Sequence, residues 1–135
     1  MKSIYEILTQ FQTDLSSDLP DLLTAESLTN FQNYVIGESR EVRETALCVY
    51  KDSLRMDDTQ NLLSLIFQAQ LYKVDFETAA KYEDVIKDYL KSYNPEEIGM
   101  NILDGIDTDT WPMENSSGVL IFFTVQYTEE LDGCD

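Results

Sequence analysis

The chain has 135 residues, of which 26 are acidic, nine are basic and none is histidine, so its formal net charge is -17. A surface this negative repels nucleic-acid phosphates and anionic lipid, which argues against sequence-specific nucleic-acid binding and membrane docking. Hydrophobic residues make up 43% of the chain, enough for a core, and we expect one domain over residues 1–135.

The sequence carries no pattern typical of membrane insertion, export or disulfide bonding. No apolar run approaches the roughly 20 residues that cross a bilayer, and the first residues lack the apolar centre of a secretory signal. Cys48 and Cys134 do not have the spacing of a disulfide framework. We expect a protein that is cytoplasmic at synthesis, with a short, acidic and mobile tail from about residue 129.

The first third of the chain predicts helical structure. Apolar residues recur at helical spacing at Ile4, Ile7, Leu8, Phe11 and Leu15. Residues Ser16 to Pro20 favour caps and turns, and we expect the first helix to end there. A second helical or irregular segment is expected from about Asp21 to Ile36, with Gly37 ending it.

Alternating apolar and polar residues predict two strands in the middle of the chain, Val42 to Lys51 and Leu62 to Tyr72. In the second strand, one set of alternate positions is apolar and is expected to face the core: Leu63, Leu65, Phe67, Ala69 and Leu71. The intervening Ser64, Gln68 and Gln70 are expected to face solvent or a partner.

Asp75 is a good N-cap for a helix predicted over roughly Phe76 to Ser92. The apolar stripe of this helix includes Tyr82, Tyr89 and Tyr93. These tyrosines fit a helix-on-sheet core, and they also fit an aromatic contact surface for a neighbouring subunit.

The last third predicts two antiparallel strands, about Ile98 to Thr110 and Gly118 to Thr128, joined by a loop that begins at Trp111. Trp111 is interpreted as a core plug or as an exposed anchor. The order of elements predicts an α+β fold, in which a twisted antiparallel sheet of about four strands carries helices on one face.

The sequence offers little for catalysis, because the commonest general base and metal ligand, histidine, is absent. No glycine-rich phosphate loop is present, and Cys48 lacks a base to activate it. The least ordinary acidic cluster, Asp104, Asp107 and Asp109 around Gly105, is a weak candidate for a Ca²⁺ or Mg²⁺ site and fits a turn or bulge between strand segments better. We expect no enzyme activity and no cofactor.

Three stretches that together cover about half of the chain form a recognisable pattern. A helix over Lys2 to Leu15 precedes the sheet, strand Leu62 to Tyr72 leads into a helix with an Ala-x-x-Tyr core at Ala79 to Tyr82, and Gly118 to Tyr127 closes the sheet. This pattern resembles the phage and prophage tail-terminator and tail-completion (minor tail) proteins, which cap the tail tube and join it to the head.

The resemblance implies a structural protein of the virion that forms an oligomeric ring, usually hexameric. Such a ring contacts the tail tube protein and a head-completion protein, and DNA passes through its centre. An acidic lumen would repel DNA phosphates and keep the passage free of sticking contacts. The residues expected at subunit or partner contacts are Ser64, Gln68, Gln70, Trp111 and Met113.

Two other classes of function fit the same charge. The chain could be an acidic inhibitor, such as an immunity protein or a DNA mimic, whose carboxylates occupy a basic site on a partner enzyme. A hydrolase that uses carboxylates alone is a more distant alternative, and its metal-dependent form requires a divalent ion.

Overall fold

In a computed structural model, which describes residues 3–37, 45–56, 61–93, 100–102, 105–113 and 116–127, two helices pack on one face of a mixed sheet. The helices are α1 (Ile4–Ala25) and α2 (Phe76–Ser92). The strands are β1 (Asn33–Ile36), β2 (Ala46–Met56), β3 (Asn61–Tyr72), β4 (Met100–Ile102), β5 (Asp107–Met113) and β6 (Ser116–Tyr127). The predicted α+β class is confirmed.

The sheet has the order β1-β2-β3-β6, and both β4 and β5 pair with the remaining edge of β6. Strand β1 runs parallel to β2, whereas every other pair is antiparallel. Within the part of the chain that the structure describes, the sheet therefore has six strands instead of about four, and it is mixed instead of purely antiparallel. Among the described residues, no helix is both long and apolar enough to cross a membrane.

Helix α1 does not end at Ser16 to Pro20, as predicted, but continues through Pro20 to Ala25. A proline inside a helix costs about 3 kcal/mol because it removes a hydrogen bond and crowds the preceding turn. Leu19 and Leu23 are both fully buried, and burying one such side chain stabilises a fold by about 1.5–3 kcal/mol. Their burial offsets the proline, so the helix continues.

Of the segment predicted as helical or irregular from about Asp21 to Ile36, residues 21–25 belong to α1 and residues 26–32 are irregular, but Asn33–Ile36 forms strand β1, which was not predicted. This strand pairs in parallel with the start of β2, from Asn33 opposite Ala46 to Ile36 opposite Val49. Gly37 ends the strand in a backbone conformation with φ of +109°, which glycine adopts without steric strain.

Side-chain caps begin both helices. The Ser3 hydroxyl accepts a hydrogen bond from the Glu6 N–H at 3.1 Å, and the Asp75 carboxylate accepts one from the Thr78 N–H at 2.7 Å. The Asp75 bond also lowers the pKa of this carboxyl group. The predicted helix at Phe76–Ser92 and its cap are thus confirmed.

One hydrophobic core lies between the helices and the sheet. Phe11 of α1, Phe67 of β3 and Phe123 of β6 meet edge to face, with ring centroids 4.7–5.6 Å apart. The five alternate positions predicted to face the core on β3 are all buried, namely Leu63, Leu65, Phe67, Ala69 and Leu71. The alternation therefore predicted the inner face of the central strand correctly.

The last third differs from prediction at Trp111, which lies within β5 and not in a loop. The strand predicted over Ile98 to Thr110 is divided into β4 and β5, and the register against β6 shifts between Ile102 and Asp107. Gly105 lies in this interruption with φ of +94°, as a bulge or turn requires.

Candidate interaction surface

The face of the sheet opposite the helices carries a group of side chains that alternate with the core positions. The register of β2, β3, β5 and β6 places them side by side across four strands. None of them belongs to the hydrophobic core cluster beneath the helices. We call this group the outer sheet face; it comprises Tyr50, Leu62, Ser64, Ile66, Gln68, Trp111, Leu120, Phe122, Thr124 and Gln126.

Short-range contacts join neighbouring strands across the outer sheet face. The Tyr50 hydroxyl donates a hydrogen bond to Gln68 Oε1 at 3.2 Å, which links β2 to β3. The Ser64 and Thr124 hydroxyls lie 3.4 Å apart across β3 and β6. A hydroxyl pair bonds optimally at about 2.7–2.8 Å, so both oxygens keep the capacity to bond another group.

Among the described residues, the outer positions of β3 and β6, the two middle strands, carry no charged side chain, although 26% of the chain is charged. Charged side chains lie on the flanking strands of the same face: Asp107 and Asp109 on β5 pair with Phe122 and Leu120, and Arg55 on β2 pairs with Leu62, while Asp52 lies at the bulge of β2. A shallow depression of about 110 Å³ over Ser64 lies between Asp52 and Asp107. The surface therefore has a neutral, partly apolar centre and predominantly acidic flanks.

Three of the five predicted contact residues belong to the outer sheet face. Ser64 and Gln68 are half-buried on the outer sheet face, and Trp111 lies on the same face opposite Gly118. Gln70 has the same orientation by register but is only 2% exposed, so the prediction that it faces solvent is wrong. Met113 lies at the end of β5, where its backbone pairs with Ser116.

Trp111 fits neither of its two predicted roles. Its indole ring is half-buried and lies against the backbone of Gly118, so it is neither a core plug nor a fully exposed anchor. A glycine opposite this position lets the ring rest directly on the sheet. The paired tryptophan and glycine were not predicted from the sequence, because the loop assignment concealed their pairing across two strands.

The structure describes two of the three weak candidates for a metal site. Asp107 and Asp109 occupy alternate, exposed positions on β5, while Asp104 lies outside the described residues. Among the residues that the structure describes, no group of three or more Asp, Glu, Cys or His side chains is placed to hold a metal ion.

The tyrosine stripe of α2 belongs to the interior, so its interpretation as a contact surface is wrong. The Tyr82 hydroxyl donates to the Thr29 carbonyl oxygen at 2.6 Å, and the Tyr89 hydroxyl donates to Asp18 Oδ2 at 2.8 Å. Burial raises the pKa of Tyr82. Burial, followed by the hydrogen bond to Asp18 and its charge, raises the pKa of Tyr89. The hydrogen bonds of these tyrosines join α2 to the N-terminal third of the chain.

The outer sheet face is interpreted from its own geometry and charge. No family model matches the chain, and comparison with curated proteins found no matching relative.

Proposed function

We propose that this chain is a non-enzymatic assembly protein that binds other protein subunits through its outer sheet face. The observation that carries the proposal is that the outer positions of β3 and β6, the two middle strands, hold no charged side chain in a chain of net charge -17, whereas Arg55, Asp107 and Asp109 lie on the flanking strands. Protein interfaces are depleted of charged residues at their centres and enriched in aromatic residues. Tyr50, Trp111 and Phe122 supply the aromatic component here.

Within this class, we propose the role of a phage or prophage tail terminator, which closes the tail tube as a ring and contacts the tube protein and a head-completion protein. Its support is the resemblance of three stretches of the chain, together with the distribution of charge. Acidic side chains are exposed on the helices, for example Glu6, Asp21, Glu77 and Asp88. A ring with such a surface toward its lumen repels DNA phosphates and lets DNA pass without adhering.

The alternative, an acidic inhibitor that occupies a basic site, has support from a different part of the molecule. A cleft of about 220 Å³ between the helices is lined by Leu22 and Val85, with carboxylates of Glu26 and Asp88 among its residues. Such a cleft can accept the stem and charged end of a lysine or arginine side chain.

Two features of the helices favour assembly over DNA mimicry. The Asp14 and Asp18 carboxylates accept hydrogen bonds from tyrosines inside the chain, so neither is a free phosphate substitute. Helix α2 interleaves its acidic residues with lysines, and Lys87 lies 3.8 Å from Asp84. A mimic of the DNA backbone requires a continuous array of carboxylates, which these lysines interrupt.

Mass measurement by light scattering across a range of concentrations and ionic strengths tests the proposal. We expect a species of about six times the 15.5 kDa of one chain. A chain that remains monomeric under every condition, yet binds a basic enzyme tightly and inhibits it, would favour the alternative. Salt-sensitive binding to duplex DNA would contradict both functions.

A divalent-ion titration tests the metal-dependent form of a carboxylate-only hydrolase. For an assembly protein without a metal site, millimolar Ca²⁺ or Mg²⁺ should leave the midpoint of thermal unfolding where equal ionic strength of NaCl places it. A rise specific to one divalent ion would indicate binding to the folded state and would contradict this part of the proposal.

A further inference from the structure

We infer that the cleft between α1 and α2 is a docking site for an arginine side chain of a partner protein whose surface is basic. The inference rests on the proposed assembly function and adds a second contact surface to the outer sheet face. It concerns a partner of different sequence, because two copies of a chain with net charge -17 repel one another. In the proposed ring, whose lumen the helices line, we place the end of α1, and with it the cleft, at the mouth where the next protein docks.

The cleft combines apolar walls with carboxylates. It has a volume of about 220 Å³ and lies where the last turn of α1 passes the C-terminal half of α2. Leu22 and Ala25 line it from α1, and Val85 lines it from α2. Glu26 and Asp88 each add a carboxylate. An arginine side chain has the same division, because an apolar methylene stem carries a charged end.

The cleft is formed before any partner arrives. Leu22 is 42% exposed, so its apolar surface remains available for the stem of a partner's side chain to cover. Tyr89, which is only 8% exposed, lies at the base, and its hydroxyl donates to Asp18 Oδ2 at 2.8 Å. Because this hydrogen bond holds the base in place, binding requires little ordering of the chain.

The end of α1 carries negative charge that a bound cation would offset. The carbonyl end of a helix has a partial negative charge, which lysine or arginine in the last turn stabilises. The last turn of α1 has no basic residue, and its C-cap is Glu26. In the part of the chain that the structure describes, Lys87 pairs with Asp84, whereas no ion pair involves Glu26 or Asp88. A cation in the cleft therefore relieves a repulsion that folding leaves in place.

The placement of the two carboxylates favours arginine over lysine. Glu26 belongs to the end of α1 and Asp88 to α2, so the cleft presents acceptors from two different elements. The guanidinium group is planar and carries several N–H donors in a fixed fork, which can bond acceptors on more than one side. An ammonium group is a compact and strongly hydrated charge, and it loses more hydration in a cleft with apolar walls.

Nuclear magnetic resonance titration of the isotopically labelled full chain measures binding at the cleft. The principal probe is N-acetyl-arginine amide, and its lysine counterpart tests the preference for arginine. N-acetyl-citrulline amide has the shape of the arginine probe without its charge, and guanidinium has the charge without the stem. At constant ionic strength, we expect the arginine probe to shift the signals of Ala25, Val85 and Asp88 with a dissociation constant of about 1–10 mM. The other three probes should each bind about threefold or more weakly.

Removing both carboxylates tests the cleft directly. Glu26→Gln combined with Asp88→Asn keeps the shape of both side chains, and we expect it to weaken binding of the arginine probe by about threefold or more. Glu77→Gln combined with Asp109→Asn is the matched control, because it removes the same two charges at exposed positions elsewhere. This control should leave the affinity nearly unchanged. Thermal unfolding of each variant ensures that a loss of binding is not a loss of folding.

Two results of the titrations would overturn the inference. If the arginine and citrulline probes bind equally well, the cleft does not recognise the charge. If both double variants lose the same affinity, the overall negative charge of the chain attracts the probe and the cleft has no special part in it.

The mass of the assembly separates the inference from the proposed function. The wild type and the variant that combines Glu26→Gln with Asp88→Asn should form the same ring, since the cleft receives a different protein. A ring that is lost in this variant alone would place a second copy in the cleft, which overturns the inference and leaves the proposed function standing. A wild type that stays monomeric but binds the arginine probe in the cleft would support the docking site and contradict the proposed ring.

Discussion

The indole ring of Trp111 occupies the space into which a side chain at Gly118 would project. A Cβ atom built on Gly118 would come within 2.4 Å of Trp111 Cζ2, well inside any normal contact. The two residues pair across β5 and β6, so the contact fixes an edge of the sheet as well as the ring. Aromatic rings that cover a glycine on a neighbouring strand are a known way of stabilising such a position.

We predict that Gly118→Ala lowers the free energy of unfolding by about 1–3 kcal/mol, because the added methyl group must displace the indole ring. Urea denaturation followed by circular dichroism measures this change. In a Trp111→Ala background the same substitution should cost much less, since the obstructing ring has been removed. Equal costs in both backgrounds would show that the indole is not the cause.

Two tyrosine–carboxylate hydrogen bonds join the helices. Tyr93 donates to Asp14 Oδ2 at 2.5 Å, and Tyr89 donates to Asp18 Oδ2 at 2.8 Å. We predict that Tyr89→Phe lowers the free energy of unfolding by about 1–2 kcal/mol, because Asp18 loses the tyrosine hydroxyl that donates to it. Tyr93→Phe should cost less, about 0.5–1 kcal/mol, because Gln10 Nε2 still donates to the Asp14 carboxylate at 3.0 Å. Tyr5→Phe is the matched control, since Tyr5 is 68% exposed and its loss of a hydroxyl should change stability little.

The buried and half-buried tyrosines predict a loss of stability at alkaline pH. Burial, followed by the charge of Tyr82, raises the pKa of Tyr34 to about 12, and the pKa values of Tyr82 and Tyr89 are also raised. An unfolded tyrosine has a pKa of about 10. Because the folded values are higher, this contribution to stability is fully present below about pH 10 and is lost as the pH rises toward the folded pKa values.

Urea denaturation at a series of pH values from 8 to about 12 checks this prediction. The free energy of unfolding should be nearly constant at first and should then fall above about pH 10. Tyr89→Phe should make the fall shallower, because one raised pKa has been removed. A fall of equal steepness in this variant would mean that Tyr89 is not among the groups responsible.

The elements with strong local signals were predicted closely. Helix Phe76–Ser92 has a side-chain cap and a continuous apolar stripe, and strand β3 alternates without interruption. Strand β1, with four residues, is too short to show alternation, and its place depends on pairing with β2. Local patterns cannot reveal a strand that tertiary pairing defines.

Part of the candidate surface was also visible in the sequence. Ser64 and Gln68 alternate with core residues of the same strand, which placed them on the opposite face. The remainder of the outer sheet face depends on the register of β6 and β5 against β3, and this brings Phe122 beside Ile66 and Trp111 beside Gly118. Residues that are distant in the sequence meet there, so the periodicity of single strands could not predict this surface as a whole.

The sequence also contained a signal against ending α1 at Pro20. Fully buried residues continue at intervals of four along one side of the helix, from Phe11 and Leu15 to Leu19 and Leu23. This stripe crosses the proline without a change of phase, and the energetic benefit of burying its last members outweighs the local cost. The prediction that the helix ends there was wrong because it gave a local helix breaker more weight than a continuing apolar stripe.

The burial of Leu19 and Leu23 outweighs the cost of a proline inside α1, and removing that cost should add to stability. We therefore predict that Pro20→Ala stabilises the protein. Proline is about 3 kcal/mol less favourable than alanine inside a helix, and part of this difference is offset because alanine leaves the unfolded chain more freedom. We expect the free energy of unfolding to rise by about 1–2 kcal/mol in urea denaturation. Ser17→Ala, at an exposed position of the same helix, controls for intrinsic helix propensity and should give a much smaller gain. An unchanged or lower stability in Pro20→Ala would show that packing around Leu19 and Leu23 depends on the proline ring itself.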